Sequence, residues 1–265
     1  MDTQTLTAFG LTLLAGLSTG IGSLIAFFTK KTNKKFLSIS LGFSAGVMIY
    51  VSFVEILAEA NSILSEAINV RTGNLLALVG FFGGMLIITI IDKLVPSYEN
   101  PHEVKLIEDE YNKHDGKLMR MGVFTALAIA VHNFPEGLAT FVSAMQDSGV
   151  AIPIVVAIAI HNIPEGIAVS VPIYQATGSK YKAFKYSFLS GLAEPLGALV
   201  GWFILAPIMN DIVFGMIFAA VAGIMVFISF DELLPAAREY GEHHLSIYGL
   251  IAGMALMAIS LLLFI

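Results

Sequence analysis

The sequence predicts an all-α polytopic membrane protein, and its composition is the first reason. Of its 265 residues, 57% are hydrophobic and only 13% are charged, whereas a soluble domain carries roughly 25% charged residues. The charges are also unevenly spread, so long uncharged stretches alternate with short charged ones. This composition excludes an ordinary soluble protein and predicts a single transmembrane domain over residues 1–265.

Eight apolar segments each have the length that crosses a bilayer core as a helix, about 20 residues. They cover residues 6–29, 36–60, 74–95, 118–144, 152–174, 183–205, 212–234 and 245–265. The first segment has no basic flank and no cleavage site, which predicts a retained helix rather than a signal peptide. The longest polar stretch, 96–117, contains His102 and His114 and predicts a loop.

The basic residues predict which side of the membrane each connection faces. Thirteen of the fourteen Lys and Arg residues fall in the connections after the first, third, fifth and seventh segments, and only Arg71 falls on the other side. The positive-inside rule assigns Lys- and Arg-rich connections to the cytoplasm. We therefore expect a plasma (inner) membrane protein with both termini outside and the 96–117 loop in the cytoplasm.

Two parts of the chain match each other without gaps. Residues 45–57 and 222–234 are identical at seven of thirteen positions, including a shared Ser-Phe-x-Glu core. The first and sixth segments match more weakly, in glycine pairs that include Gly16 with Gly191 and Gly22 with Gly197. Because the matched segments run in opposite directions through the predicted topology, we expect an inverted repeat of eight helices in a 3+2+3 arrangement, which is typical of transporters. The alternative is that small and apolar residues recur by composition.

Two near-identical polar motifs interrupt the fourth and fifth segments: His-Asn-Phe-Pro-Glu-Gly from His132 and His-Asn-Ile-Pro-Glu-Gly from His161. In each motif the imidazole and the carboxylate lie four residues apart, on one face of a helix. A carboxylate near the bilayer centre costs about 2.5–3.5 kcal/mol on insertion scales. At about 1.5 Å of rise per residue, both motifs and Glu194 of the sixth segment reach a similar depth. Such polar residues predict a functional layer near the midplane.

A divalent metal ion is the partner that satisfies imidazole, carboxylate and amide oxygen together. The candidate metal ligands are His132, Asn133, Glu136, His161, Asn162, Glu165 and Glu194. Because the chain has no cysteine, this set favours Zn²⁺, Fe²⁺, Mn²⁺ or Co²⁺ over Mg²⁺ and Ca²⁺. Glu136 and Glu165 could each bridge two ions, one on the two histidines and one on the two asparagines and Glu194. For any one motif alone, a structural kink or a helix–helix hydrogen bond is the alternative.

Further polar residues predict a route to and from this layer. Acidic residues lie toward the outer end of the second segment and the inner end of the seventh: Glu55, Glu59, Asp231 and Glu232. His243 and His244 follow on the predicted cytoplasmic side. Solvated histidines are ordinary, so a surface role is the alternative for the histidines in connections.

These motifs together resemble the ZIP (Zrt-, Irt-like) family of divalent metal transporters. The resemblance covers the whole chain and is carried by the two hexapeptides, by Gly-Leu-Ala-Glu ending at Glu194 and by Asp-Glu-Leu-Leu-Pro starting at Asp231. It implies a 3+2+3 fold, a binuclear metal centre between the fourth, fifth and sixth segments, and uptake of Zn²⁺, and of Fe²⁺, Mn²⁺, Co²⁺ or Cd²⁺, toward the cytoplasm.

The resemblance also defines the expected partners. These are divalent metal ions, the lipid bilayer and a second copy in a homodimer, with no nucleic acid, no cofactor and no enzymatic activity. The chain departs from the family in two places. Its 96–117 loop has two histidines where the family is often histidine-rich, and His161 stands where several members carry another ligand.

Two other classes of protein stay compatible with the motifs. An intramembrane metal-dependent hydrolase would use similar ligands, although the H-E-x-x-H motif of site-2-type proteases is absent. A proton-coupled carrier of an organic substrate would use the histidines and glutamates as a relay. The inverted repeat favours transport over hydrolysis.

Overall fold

The computed structural model describes residues 3–28, 34–94, 110–146, 148–200, 202–203, 210–239 and 243–263, and these ranges contain no strand. The elements are α1 (Thr3–Ala26), α2 (Lys34–Val51), the π-helical turn π1 (Ser52–Ile56), α3 (Leu57–Ala67), α4 (Val70–Leu94), α5 (Glu110–Gln146), α6 (Ser148–Thr177), α7 (Lys180–Gly191), α8 (Ala193–Val200), α9 (Asp211–Ile228), the π-helical turn π2 (Ser229–Leu233), α10 (Leu234–Glu239) and α11 (His243–Leu263). The all-α prediction is confirmed.

Several of these helices have the length and apolar character of membrane spans. Five stretches in the described ranges meet both conditions: Thr3–Leu24, Lys34–Ala67, Val70–Ile91, Asp211–Arg238 and His244–Leu262. They coincide with the first, second, third, seventh and eighth predicted segments. Helices α5 and α6 and the pair α7–α8 overlap the other three segments. The fold is therefore that of a helical membrane protein.

Two boundaries differ from the sequence prediction. Helix α5 begins at Glu110, so the last eight residues of the predicted 96–117 loop are helical. Hydropathy marks only the apolar part of a helix, whereas Lys and Glu are themselves good helix formers and extend it. Residues 95–109, which include His102, lie outside the described residues, as does the side chain of His114.

The sixth predicted segment, 183–205, is interrupted rather than continuous. Helix α7 ends at Gly191 and α8 begins at Ala193. Pro195 lies four residues after Gly191 and has no N–H group. The carbonyl of Gly191 therefore loses its α-helical hydrogen bond, and the hydrogen-bond ladder is broken between α7 and α8. The interruption lies directly beside Glu194, in the first turn of α8.

The two segments that match in sequence also share a change of helical type. Helix α2 passes into π1 and α9 passes into π2, at aligned positions of the repeat. Ser52 Oγ donates to Met48 O at 2.6 Å, and Ser229 Oγ donates to Met225 O at 2.8 Å. In both helices a serine hydroxyl thus binds the carbonyl one turn before the π-helical turn. Such turns inside α-helices often accompany functional sites.

Helices α4 and α11 pack in a similar way on the two helices that contain the matching segments. A Cβ atom on Gly84 of α4 would overlap the carbonyl oxygen of Ala220 in α9, and one on Gly253 of α11 would overlap that of Phe43 in α2. Ala220 and Phe43 are aligned when the repeat is extended by two residues. Helices α4 and α11 therefore pack on equivalent faces of α9 and α2.

The helices pack in two groups. One contains α1, α5, α6, α7 and α8, and the other contains α2, α3, α4, α9, α10 and α11. The groups touch where α2 meets α6 and where α5 meets α9. At the first of these contacts, Ser44 Oγ donates a hydrogen bond to Pro164 O at 2.6 Å. The two polar motifs and Glu194 all belong to the first group.

Candidate metal site

The polar motifs occupy the interior of the first group of helices. The side chains of Asn133, Asn162, Glu165 and Glu194 are fully buried, and Glu136 is 8% exposed. They come from α5, α6 and α8. Burial of five polar side chains in one bundle requires partners for their oxygen and nitrogen atoms.

Three carboxylates approach one another in this interior. Glu194 interacts electrostatically with both Glu136 and Glu165, so one carboxylate from each of α8, α5 and α6 shares the same region. When ionised together, three carboxylates repel one another strongly in surroundings of low polarity. A cation bound between them would turn this repulsion into attraction.

The two histidines of the motifs lie in the same helices as two of these carboxylates. His132 and His161 lie in α5 and α6, but their side chains are outside the described residues. Among the side chains that the structure does describe, no three His, Asp or Glu groups are arranged to hold a metal ion. The predicted ligand set, with these two histidines included, therefore remains a prediction.

The side-chain amides of the two asparagines have a defined orientation. Asn133 Nδ2 donates to Ser190 O in α7 at 3.3 Å, and Asn162 Nδ2 donates to Ala15 O in α1 at 3.0 Å. Asn162 Nδ2 also donates to Glu194 Oε1. A carbonyl oxygen can only accept, so each amide must turn its nitrogen toward its neighbour and its oxygen away.

This orientation leaves oxygen atoms without donors. Oδ1 of Asn133, Oδ1 of Asn162 and Oε2 of Glu194 are buried and have no hydrogen-bond partner in the described structure. A buried acceptor without a partner costs roughly 1–3 kcal/mol. Among the described residues, each asparagine thus has an amide oxygen, and Glu194 has one carboxylate oxygen, that accepts no hydrogen bond.

Glycine residues bring the helices of the site into backbone contact. A Cβ atom on Gly137, the last residue of the first motif, would overlap Glu194 O, and one on Gly166, the last residue of the second, would overlap Thr19 O. Small residues at helix crossings permit this close approach. The terminal glycine of each hexapeptide therefore serves packing.

The contacts of α1 with α6 repeat the contacts of α8 and α7 with α5. The hydrogen bond between Ala15 and Asn162 corresponds to the one between Ser190 and Asn133. The contact of Gly22 with Ile163 corresponds to that of Gly197 with Phe134, and the contact of Thr19 with Gly166 corresponds to that of Glu194 with Gly137. Gly16 and Gly191 contact each other, because a Cβ atom on either residue would lie 2.5 Å or less from the carbonyl oxygen of the other. The site is thus built around a local two-fold pseudo-axis that passes near Gly16 and Gly191.

The predicted route residues occupy varied positions. Glu55 lies half-buried in π1 and Glu232 lies buried in π2, at equivalent positions of the repeat. Asp231 is half-buried beside Glu232, and Glu59 is exposed on α3. His244 is exposed at the start of α11 and stacks on Tyr248 with ring centroids 6.3 Å apart. The side chain of His243 lies outside the described residues.

The sequence alone did not predict two contributors to the site. The carbonyl of Ala15 orients Asn162, and a backbone carbonyl leaves no signature in the side-chain pattern. Pro195 breaks the helix beside Glu194, and this signal was readable, because proline directly follows the glutamate. The glycine pairing of the first and sixth segments was the only indication that α1 approaches the site.

Comparison with known proteins identifies the family. The model of the family described as ZIP Zinc transporter matches residues 1–92 and 92–261 of the chain. The chain belongs to the ZIP zinc transporter family. ZIP proteins are transporters rather than enzymes, so the metal-dependent hydrolase considered from the sequence is not supported. The ZIP resemblance drawn from the motifs is confirmed.

Individual ZIP relatives match over nearly their whole length. The zinc transporter ZupT of Streptococcus mutans serotype c is 72% identical over 265 residues, which cover 100% of both chains. ZupT of Lysinibacillus sphaericus is 63% identical over 267 residues and 99% of each chain. ZupT of Clostridium perfringens is 62% identical over 275 residues, covering 98% of this chain and 96% of the relative.

Proposed function

We propose that this chain carries Zn²⁺ across the plasma (inner) membrane into the cytoplasm, through a buried site that holds two ions. Membership of the ZIP zinc transporter family and 57–72% identity to relatives named zinc transporters support zinc as the substrate. The site chemistry extends the proposal to Fe²⁺, Mn²⁺ and Co²⁺, which accept nitrogen and oxygen ligands, and the family resemblance extends it to Cd²⁺.

One observation carries the assignment of the site. Both asparagine amides are held by backbone carbonyls in an orientation that turns Oδ1 away from them and leaves it without a donor. If the asparagines served only to join helices, their oxygens would be expected to find donors as well. Two buried amide oxygens and the free Oε2 of Glu194 favour a cation as the missing partner.

The ligands divide between the two ions in this proposal. His132 and His161 hold one ion, and Asn133, Asn162 and Glu194 hold the other. Glu136 and Glu165 contribute to both, because each lies one turn from the histidine and the asparagine of its own motif. Metal bound here is cargo, so the ligands must also release it toward the cytoplasm.

The membrane arrangement in this proposal is eight spans in a 3+2+3 inverted repeat, forming one domain over residues 1–265. Three pairs of helices make equivalent contacts, and these support the repeat: α1 and α8, α2 and α9, and α4 and α11. The distribution of Lys and Arg supports external termini and a cytoplasmic 96–117 loop. A homodimer is part of the proposal on the strength of the family resemblance.

The acidic and histidine residues outside the cluster form the route in this proposal. Glu55 and Glu59 guide metal in from outside, and Asp231, Glu232, His243 and His244 receive it on the cytoplasmic side. The equivalent positions of Glu55 in π1 and Glu232 in π2 support a matched entry and exit.

Uptake of ⁶⁵Zn²⁺ into proteoliposomes tests the proposed function. Glu136→Gln removes a charge shared by both ions and is expected to abolish uptake, since each ion loses one of its two bridging carboxylates. Glu66→Gln is the matched control, because Glu66 is exposed on α3 and should transport as the native chain does. Equilibrium titration of the purified native chain should show about two Zn²⁺ ions per chain. Near-native uptake by Glu136→Gln would exclude the shared-carboxylate site.

A further inference from the structure

Thr19 of α1 is a buried residue whose hydroxyl has no partner. Its side chain is fully buried, and Thr19 Oγ1 makes no hydrogen bond in the described structure. In helices a threonine hydroxyl ordinarily donates to the carbonyl four residues before it. Thr12 of the same helix does so, with Thr12 Oγ1 donating to Ala8 O at 2.9 Å.

The carbonyl oxygen that Thr19 would ordinarily use as its acceptor already accepts a hydrogen bond from Asn162. That acceptor is Ala15 O, which receives hydrogen bonds from Asn162 Nδ2 at 3.0 Å and from Ser18 Oγ at 2.5 Å. Orienting Asn162 thus takes the carbonyl that Thr19 would otherwise use. The hydroxyl of Thr19 is left free inside the helix group that forms the site.

The two-fold pseudo-axis indicates where this hydroxyl lies. Thr19 corresponds to Glu194, because Gly16 corresponds to Gly191 and both residues follow three positions later. A Cβ atom on Gly191 would lie 2.9 Å from Thr19 Cβ, and one on Gly16 would lie 3.3 Å from Glu194 Cβ. The two side chains therefore leave their helices at equivalent places.

The neighbours of the two side chains correspond as well. Glu194 reaches Asn162 and accepts a hydrogen bond from its amide. The pseudo-symmetry that relates Thr19 to Glu194 also relates Asn133 to Asn162, so it places the side chain of Thr19 on the side of the site where Ser190 O, next to Gly191, holds the amide of Asn133. Both Thr19 Oγ1 and Asn133 Oδ1 lack a partner. One end of the site thus has a carboxylate, and the equivalent end has a short neutral hydroxyl.

We propose that Thr19 is a specificity-determining residue of the metal site, as the neutral counterpart of Glu194. Its hydroxyl oxygen completes the shell of the ion held by the asparagines on the Asn133 side, directly or through one water molecule. Neutral oxygen ligands favour harder ions such as Mn²⁺ relative to Zn²⁺. This inference rests on the proposed two-ion site.

A threonine that serves only packing would behave differently from this proposal. Valine has nearly the shape of threonine without the hydroxyl, and replacing an unpaired buried hydroxyl by a methyl group should leave stability unchanged or raise it. Thr19→Val therefore separates the two roles. The packing role predicts native metal binding, whereas the ligand role predicts weaker binding in a protein that is at least as stable.

The test compares Thr19→Val, Thr19→Ser and Thr12→Val as full-length chains. Zn²⁺ and Mn²⁺ binding is measured by equilibrium titration, uptake of both metals in proteoliposomes, and Tm by thermal unfolding. We expect Thr19→Val to weaken one of the two bound ions by about tenfold, as for the loss of a bond to a charged group, and to lower Mn²⁺ uptake more than Zn²⁺ uptake. Thr19→Ser keeps the hydroxyl and should behave as the native chain, as should Thr12→Val.

The outcomes distinguish this inference from the proposed function. Native affinity for both ions in Thr19→Val, or equal losses in Thr19→Val and Thr19→Ser, would overturn the role of the Thr19 hydroxyl while leaving the two-ion site intact. Fewer than two ions on the native chain would remove the two-ion site itself, and the inference with it. That result would be visible before any variant is measured.

Discussion

At the residue scale, Glu194 is the carboxylate whose surroundings are best defined. Its Oε1 accepts a hydrogen bond from Asn162, and its Oε2 has no partner. The carboxyl groups of Glu136 and Glu165 lie close enough to interact with it electrostatically. Because it belongs to only one of the two proposed ions, its charge should matter less than a charge shared by both.

Replacing Glu194 tests this distinction. Glu194→Gln keeps an oxygen that can accept from Asn162 but removes the charge, so we expect slower Zn²⁺ uptake that is still measurable, beside a Glu136→Gln variant that is inactive. Glu194→Ala also removes the acceptor and should be slower than Glu194→Gln. The measurement is the initial rate of ⁶⁵Zn²⁺ uptake at saturating metal. Equal and complete loss in Glu194→Gln and Glu136→Gln would contradict a division of ligands between two ions.

The orientation of the two asparagine amides depends on the backbone carbonyls beside them. Their pattern in the sequence indicated neutral oxygen ligands, but an amide offers either oxygen or nitrogen to a partner. The carbonyls of Ser190 and Ala15 decide which end points where. The side chains of His132 and His161 are outside the described residues, so their role stays a prediction.

At the element scale, glycine positions determine how closely the helices pack. A Cβ atom on Gly84 of α4 would overlap the carbonyl oxygen of Ala220 in α9, whereas one on the neighbouring Gly83 would meet nothing within 4 Å. The two glycines lie in the same helix turn, so they offer a matched comparison of packing against backbone propensity.

Alanine at these two positions should have opposite effects on stability. Gly84→Ala must push α4 away from α9 and should cost roughly 1–3 kcal/mol, as overpacking does. Gly83→Ala has free space and gains helix propensity, and should be neutral or stabilising by up to about 1 kcal/mol. Thermal unfolding in detergent measures both. A melting temperature of Gly84→Ala at or above that of Gly83→Ala would show that α4 and α9 have room for the added methyl group, which would contradict this packing.

The sequence predicted the elements well where the apolar pattern was continuous. It did not predict the break between α7 and α8, because hydropathy averages over a span and does not detect the missing N–H group of Pro195. It also did not predict that α5 starts at Glu110, since polar helix formers and polar loops look alike in hydropathy. The 3+2+3 expectation already related the third and eighth segments, but only the packing matches α4 with α11 at particular residues.

At the scale of the whole molecule, orientation in the membrane is the main property to be tested. The native chain has no cysteine, so single cysteines can be introduced without background labelling. A cysteine at Ser148 should react with a membrane-impermeant maleimide on intact cells, and one at Asn33 only after permeabilisation, because the positive-inside rule puts the Lys-rich connection in the cytoplasm. Labelling of the Asn33→Cys chain on intact cells would reverse the proposed direction of every helix.

The sequence by itself determined the class of this protein, its apolar spans, the polar motifs and the family, because hydropathy, local spacing and residue type are properties of consecutive residues. Only the tertiary structure decided which carbonyl holds each asparagine, where α1 meets these helices, and that Thr19 and Glu194 leave their helices at equivalent places. These facts depend on backbone atoms of distant segments, and every residue carries the same carbonyl group. Side-chain patterns therefore cannot identify which carbonyl is used, and helix packing has to do so.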